Sequence, residues 1–499
     1  MFLGIDLGSS SIKLSLYDPI KGQTVGSISH PKIEMKIASP KSGWAEQNPD
    51  DWWEKFLEAY EILIKQKTID TKLILGIGIS YQMHGLVVVD EMKKLLRPSI
   101  IWCDSRAVDL GEKAFRSIGQ DYCLTHLLNS PGNFTASKLA WVKTNEPEIF
   151  DQIYKIMLPG DYFVMKLTGE ITTTKSGLSE GIFWDYENEC ISEEVLNVYD
   201  ISKELIPEIV PSIGSALKVQ KVLATKLGLN EDVKITYRAG DQPNNAFSLN
   251  VLNEGEIAAT AGTSGVIYAV SNKKTYDIKS RINTFVHVND AQNKPSNGVL
   301  ICVNGTGILY SWLKKLLNTK NLHIDYAEMN EMVKSVPVGA EGLLCLPFGN
   351  GSERIFENKL IGSHLLNLDF NKHETGHMLR AAVEGIIYAL NLGFEMLSDL
   401  NINRNTIRAG NANLFLSDIF KSIFANVTDT PLEIFNTDGA NGAARGAALG
   451  FGIFETMEEA FDDLQLLEVI EPNSELCTIY KESFEGWKET ISKHSFIDN

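Results

Sequence analysis

Two stretches far apart in the chain repeat one plan, and that repeat constrains the fold more than any other feature. Phe2-Leu3-Gly4-Ile5-Asp6-Leu7 runs into Gly8-Ser9-Ser10-Ser11, after which Ile12, Leu14 and Leu16 alternate with Lys13 and Ser15. Ala261-Gly262-Thr263-Ser264-Gly265 is likewise a small-residue turn between two runs that alternate as strands do. Gly8-Ser9-Ser10 aligns with Gly262-Thr263-Ser264, and Ile12 and Leu14 align with Val266 and Tyr268. Two such strand–turn–strand units point to two domains built on a duplicated plan. A turn of this kind lets backbone N–H groups approach an anion closely, because glycine carries no side chain to hold it off. Two unrelated surface hairpins would show the same short pattern, so the repeat alone leaves function open.

A lone carboxylate lies just ahead of the second unit, in Arg238-Ala239-Gly240-Asp241-Gln242. A candidate base and a candidate phosphate cradle thus sit on consecutive elements. The 499 residues suffice for two or three domains with sizeable cores. A net charge of −18 argues against a nucleic-acid or anionic-membrane surface, while leaving room for a locally positive phosphate site. Six scattered cysteines form no Cys-x-x-Cys pair and read as free thiols of a reducing cytosol. No stretch approaches the roughly 18 apolar residues of a membrane span, and no basic leader opens the chain. The expectation is a cytoplasmic protein.

Between the hairpins, Asn48-Pro49-Asp50-Asp51 reads as the cap and first turn of a helix reaching about Lys65, with Trp44, Trp52 and Trp53 as core anchors. Leu73 to Ile79 is a short apolar run, as in a buried strand, and it ends in Ser80-Tyr81-Gln82-Met83-His84-Gly85. Polar groups just beyond such a strand face a ligand crevice in many α/β proteins. Trp102, Asp104 and Arg106 combine an apolar face with two hydrogen-bonding forks, which suits a polyhydroxylated ligand; a surface Asp–Arg pair fits equally. Asp161, in Leu158-Pro159-Gly160-Asp161, reads as a helix cap. In the C-terminal half, Val303-Asn304-Gly305-Thr306-Gly307 precedes an amphipathic helix containing Trp312 and Leu316, and a helical apolar stripe runs from Leu379 to Leu400. Gly439 to Ala448 opens a helix of very small side chains, which fits either close packing or a nucleotide contact.

Taken together, these segments resemble the FGGY family of carbohydrate kinases, in family order and over nearly the whole chain. The resemblance rests on Gly4 to Lys13, Trp44 to Pro49 with Trp52-Trp53, Gln82 to Gly85, Ile101 to Arg106, the Lys138 segment, Gly240-Asp241-Gln242 and Gly262 to Gly265. It implies an α/β protein of two actin-like (ribonuclease H-like) ATPase domains around a central cleft. The expected division is 1–243, holding the sugar, and 244–499, holding the nucleotide. Asp241 would be the general base, and Asp6 would work with Mg²⁺ through coordinated water. Gly8, Ser9, Ser10 and Lys13 would face the phosphates of ATP from one side, and Gly262, Thr263 and Ser264 from the other. Gly305, Gly410, Asn411 and Asn413 would serve the nucleotide; Gln82, Met83, His84, Trp102, Asp104, Arg106 and Gln242 the sugar. Within the family the chain is most similar to members that make D-xylulose 5-phosphate, and the resemblance also allows a homodimer.

Four segments depart from the family pattern. An Asp is missing around Thr174 to Leu178, Ser352-Glu353-Arg354-Ile355 replaces Gly-Glu-Arg-Thr-Pro, Ala409-Gly410-Asn411 replaces a glycine triplet, and Pro243-Asn244-Asn245 replaces small residues. A kinase for another ketose or polyol, such as L-xylulose, ribulose or an alditol, therefore stays open. So does an actin-like nucleotide sensor without turnover, which retention of Asp6 and Asp241 argues against. No Walker-type Gly-x-x-x-x-Gly-Lys-Ser/Thr is present, which excludes a P-loop kinase.

Overall fold

Each hairpin seeds one of two sheets, and both sheets share a topology. The computed structural model describes residues 1–67, 69–319, 323–351 and 353–493. The first sheet comprises β1 (Phe2–Leu7), β2 (Ile12–Asp18), β3 (Gln23–His30), β4 (Gly76–Tyr81), β5 (Ile213–Lys218) and β6 (Lys234–Gly240), in the order β5-β6-β4-β1-β2-β3. Strands β1 to β3 form an antiparallel meander, β4 and β6 continue it in parallel beyond β1, and β5 closes the edge antiparallel.

The second sheet comprises β7 (Ile257–Ala261), β8 (Gly265–Ser271), β9 (Asn283–Val286), β10 (Asn297–Val303), β11 (Ile407–Gly410), β12 (Leu432–Phe435) and β13 (Leu466–Ile470). Its order is β9-β10-β8-β7-β11-β12-β13. With β9 set aside the plan repeats: an antiparallel meander β7-β8-β10, parallel β11 and β12, and antiparallel β13. The repeated pattern read in the hairpins thus extends through both sheets.

Helices cover these sheets. They are α1 (Pro49–Lys67), α2 (Thr135–Asn145), α3 (Pro159–Thr168), α4 (Lys175–Glu180), α5 (Asp241–Ser248), α6 (Gly307–Leu317), α7 (Thr375–Asp399), α8 (Gly439–Phe451) and α9 (Ser474–Lys493). Trp52 is fully buried, while Trp44 and Trp53 are half-buried. Asp161 caps α3 as expected: its Oδ2 accepts the Leu158 N–H at 3.0 Å, and its other oxygen faces Arg238 at 3.1 Å. The apolar stripe of α7 lies in the core beneath the second sheet. On α6 the buried face is Tyr310 and Leu313, whereas Trp312 and Leu316 lie exposed.

The small side chains of α8 have a packing cause. Although α8 follows β12, it lies against β1, β4 and β6 of the first sheet. A Cβ added at Gly4 would stand 1.9 Å from the Ala440 carbonyl oxygen, and one at Gly78 would stand 1.9 Å from that of Ala443. No carbon approaches an oxygen so closely, so helix and sheet meet backbone to backbone only because both sides lack bulk. Of the two readings open for this helix, close packing accounts for its composition, and its first turn alone reaches the candidate site.

A second seam joins the halves near β9. Asn129 and Thr284 exchange two hydrogen bonds, Nδ2 to the Thr284 carbonyl at 2.7 Å and the Thr284 N–H to Oδ1 at 3.0 Å. Ser176 Oγ donates to the Val286 carbonyl at 2.8 Å, and Ser179 Oγ accepts the Val286 N–H at 3.0 Å. Phe285 is thereby held against residues of the first half. No helix among the described residues is long and apolar enough to cross a membrane.

Candidate active site

The carboxyl ends of three parallel strands meet at one mouth. Leu7 of β1 and Gly240 of β6 both pair with Tyr81 of β4, so the Gly8 turn, the Gln82-Met83-His84 loop and Asp241 all begin at the same level. Ligands bind at such strand ends because the loops there are free to vary while the sheet fixes their roots. Asp6 sits opposite Lys13 on β2 and Ser80 on β4. Its Oδ1 accepts from Ser80 Oγ at 2.9 Å, and its Oδ2 lies 3.9 Å from Lys13 Nζ. A Cβ at Gly439, the first residue of α8, would stand 2.7 Å from that Oδ2, so the N-terminus of α8 also abuts Asp6.

Asp241 opens α5. Burial first, and then the Asp6 carboxylate, push its pKa up to about 7, against the backbone and side-chain donors of Gln242. Asp438, the cap of α8, is pushed up by burial and also by Asp6. The departure at Asn244 has a local reason: its Nδ2 donates to the Gly439 carbonyl at 2.8 Å and ties α5 to α8.

The second hairpin converges on the same point. Cys302, whose thiol burial pushes up to about 12, feels the Asp241 carboxylate and bonds with Ser264. The Gly262 and Thr263 carbonyls accept the N–H groups of Gly307 and Ile308 at 2.8 and 3.2 Å, docking the first turn of α6 on the turn. Glu353 accepts the Asn304 N–H at 3.1 Å and that of Gly305 as well, and burial pushes it up to about 7. The altered segment at 352–355 therefore braces the Gly305 loop; Ser352 lies outside the described residues. Asn413, exposed and at φ +56°, brings its Nδ2 within 3.5 Å of where a Cβ on Gly262 would stand. Gly410 and exposed Asn411 lead into that corner, the Asn411 N–H donating to the Phe435 carbonyl at 3.0 Å.

On the opposite wall His84 has φ +60°. Its Nδ1 lies 3.0 Å from the Glu180 carbonyl, which can only accept, so Nδ1 carries the proton and Nε2 is left as an acceptor. Burial, with the Lys138 ammonium second, pushes His84 down to about 3, so it is neutral at any working pH. Phe134 and Phe285 flank the ring at 4.8 and 5.2 Å. Lys138 Nζ donates to the carbonyls of His84 at 2.7 Å and Ile101 at 3.0 Å, clipping the His84 loop to the Trp102 loop. Trp102 is 40% exposed, and its indole N–H reaches Ser9 Oγ at 3.4 Å. Ser9 and Ser10 are fixed through their carbonyls, by Gln47 Nε2 at 2.7 Å and the Met35 N–H at 2.8 Å. Gln242 lies half-buried beside Asp241.

Two expectations need correction. Asp104 and Arg106 do not offer free forks to a ligand. Asp104 is fully buried, accepts the Ala45 N–H at 2.6 Å and is forked by Arg106. Arg106 also pairs with Glu46 at 2.7 Å and lies 3.8 Å over the Trp44 ring, with its side chain only 1% exposed. They are the buttress of the Trp102 loop, neither a grip nor a surface pair. Met83 and Gln82 are buried beside the mouth: Met83 packs in an apolar cluster against Gly240, and Gln82 donates to Gln47 at 3.4 Å while its Oε1 has no hydrogen-bond partner among the described residues. Glu180, Phe134 and Phe285 were missed. A single buried Glu or Phe gives no periodic or spacing signal, and only tertiary contact brings the three to His84.

Two sheets of one plan, each begun by a strand–turn–strand hairpin, define an actin-like ATPase fold. The chain belongs to the FGGY family of carbohydrate kinases: the family's N-terminal domain matches residues 1–248 and its C-terminal domain residues 257–451. It is similar to the xylulose kinase of Staphylococcus xylosus, at 30% identity over 491 residues, 96% of this chain and 98% of that one. Similarity to the xylulose kinase of Bacillus subtilis (strain 168) is 29% over 496 residues, 97% and 95% of the two. Its fold matches a xyloylose kinase from Brucella ovis with TM-score 0.88 at 23% identity, over 99% of each chain. It also matches Plasmodium falciparum glycerol kinase with TM-score 0.85 at 20% identity, over 98% of this chain and 97% of that one.

Proposed function

We propose that this carbohydrate kinase transfers the γ-phosphoryl group of ATP to D-xylulose, giving D-xylulose 5-phosphate and ADP. The observation that carries the reading is Asp241: it opens α5 where the carboxyl ends of β1, β4 and β6 meet, at the level of the Gly8 turn and the His84 loop, and burial and Asp6 push it up to about 7. Asp241 accepts the proton of the sugar's terminal hydroxyl as that oxygen attacks phosphorus in line, and the bond to the bridging oxygen of ADP breaks. Proton transfer can lag behind loosening of the leaving bond, a task that suits a carboxylate.

Ser9, Ser10 and Lys13 serve the phosphates from the Gly8 turn, and Gly262, Thr263 and Ser264 from the other. Gly305, Gly410, Asn411 and Asn413 form the adenosine side. Residues 1–243 and 244–499 are taken as the two domains. Asp6 would offer a carboxylate to a magnesium ion, and since no three His, Cys, Asp or Glu side chains gather at one point among the described residues, the ion would keep most of its coordinated waters. Asp6 would hold Mg²⁺ through water, and the ion would neutralise the phosphates.

Support for a ketose comes from His84, whose Nε2 accepts a hydroxyl hydrogen, and from the exposed Trp102 face beside it. A site built on such bonds rejects analogues that leave its buried groups unpaired. In a panel of ketoses and polyols assayed by coupled ADP release, D-xylulose is expected to give the highest kcat/KM. His84→Ala should lose about 1–3 kcal/mol of transition-state stabilisation. A higher kcat/KM for glycerol, L-ribulose or gluconate would replace the xylulose assignment and leave the kinase one standing. No ADP release with any sugar would instead favour a nucleotide sensor without turnover.

A further inference from the structure

Glu180 is fully buried, belongs to no part of the phosphoryl-transfer scheme, and bonds to His84 beside it. Its Oε1 accepts the Tyr81 hydroxyl at 2.7 Å, its Oε2 accepts the His84 N–H at 3.0 Å, and its own carbonyl accepts His84 Nδ1–H at 3.0 Å. One residue thus fixes the backbone, the ring orientation and the tautomer of His84. It does so where the backbone most needs fixing, since φ +60° is a left-handed conformation that a histidine adopts only when its surroundings over-determine it. Between Glu180 and Asp241 lies Met83: a Cβ at Gly240 would meet the Met83 side chain at 2.7 Å before Glu180 Oε1 at 3.3 Å. Glu180 ends α4, which Ser176 and Ser179 bond to Val286 of the second half, next to Phe285 on the His84 ring.

We propose that Glu180 is a positioning residue of the acceptor site, holding the backbone and ring of His84 in register so that the sugar hydroxyl meets Asp241. The proposal rests on the acceptor-sugar reading of His84. Its test is steady-state kinetics of the full chain with sugar and ATP varied separately. Glu180→Gln keeps the shape but turns one acceptor into an NH2 donor, which either reverses the bond with the Tyr81 hydroxyl or opposes the His84 N–H. The sugar KM should rise about tenfold, the scale of one mispaired buried group, while the ATP KM moves by less than about twofold. Tyr81→Phe, which removes only a hydroxyl, should shift the sugar KM the same way by less, and the pair should be non-additive. In a His84→Ala background, Glu180→Gln should raise the sugar KM no further. Sugar and ATP KM rising together, or a sugar KM unmoved in both Glu180→Gln and Tyr81→Phe, overturns the proposal while the kinase reading stands. A chain that phosphorylates no sugar overturns both.

Discussion

Replacing Asp241 with Asn is expected to cut turnover by roughly 10²–10⁴-fold, the usual worth of a positioned base, with sugar binding nearly unchanged. Asparagine keeps the shape at the first position of α5 but cannot take a proton. The fold should not suffer. Because burial and Asp6 raise the Asp241 pKa to about 7, its stabilising contribution is present at low pH and is lost as pH rises through 7. Above pH 7 the native state carries an uncompensated charge that Asn removes, so the variant's Tm at pH 8 should equal or exceed that of the unsubstituted chain. A variant with full kcat would show that another group takes the proton.

The same shift predicts a pH profile. On the reading of Asp241 as the base, kcat/KM should fall as pH drops through about 7, and Glu180 and Lys138, both moved by burial to about 8 beside His84, should add a further change above it. His84, already neutral, adds no limb in this range. A profile flat from pH 6 to 8 would contradict the environment described for Asp241.

Gly78→Ala should have the largest effect on stability. The added methyl would meet the Ala443 carbonyl at 1.9 Å, and both partners are backbone of regular elements, so neither yields as a side chain tip would. A loss of about 3 kcal/mol or more is expected, at the upper end of overpacking costs. Urea unfolding of Gly78→Ala, with the exposed Ile20→Ala as a control, measures it. Unchanged stability would mean that α8 does not lie on the first sheet as described.

Much of this was legible in the residues. The hairpins around Gly8 and Gly262 are local objects: alternation sets the strands, small residues set the turns, and both appear where the letters place them. Asp161 announced itself as a cap because capping involves residues three apart. Asp241 was legible as a carboxylate after a strand. Its raised pKa was not, since that depends on burial and on Asp6, which is distant in sequence and reaches the same mouth from a strand two places away in the sheet.

Where the reading of single motifs failed, the reason was orientation. Trp102, Asp104 and Arg106 sit within one loop, and spacing could not say which would turn outward. The structure turns Trp102 out and commits Asp104 and Arg106 to Glu46, Ala45 and Trp44. Burial decided the matter, because an ion pair withdrawn from water must satisfy its remaining donors and acceptors inside the protein. Likewise Gly439 to Ala448 could be read as nucleotide contact or as packing until Gly4 and Gly78 were seen beneath it. The strands, the turns and the family could be read from the residues because each depends on neighbours along the chain. Only the tertiary structure decided which polar groups remain free for a ligand, because hydrogen-bond satisfaction is settled among residues such as His84 and Glu180, 96 positions apart.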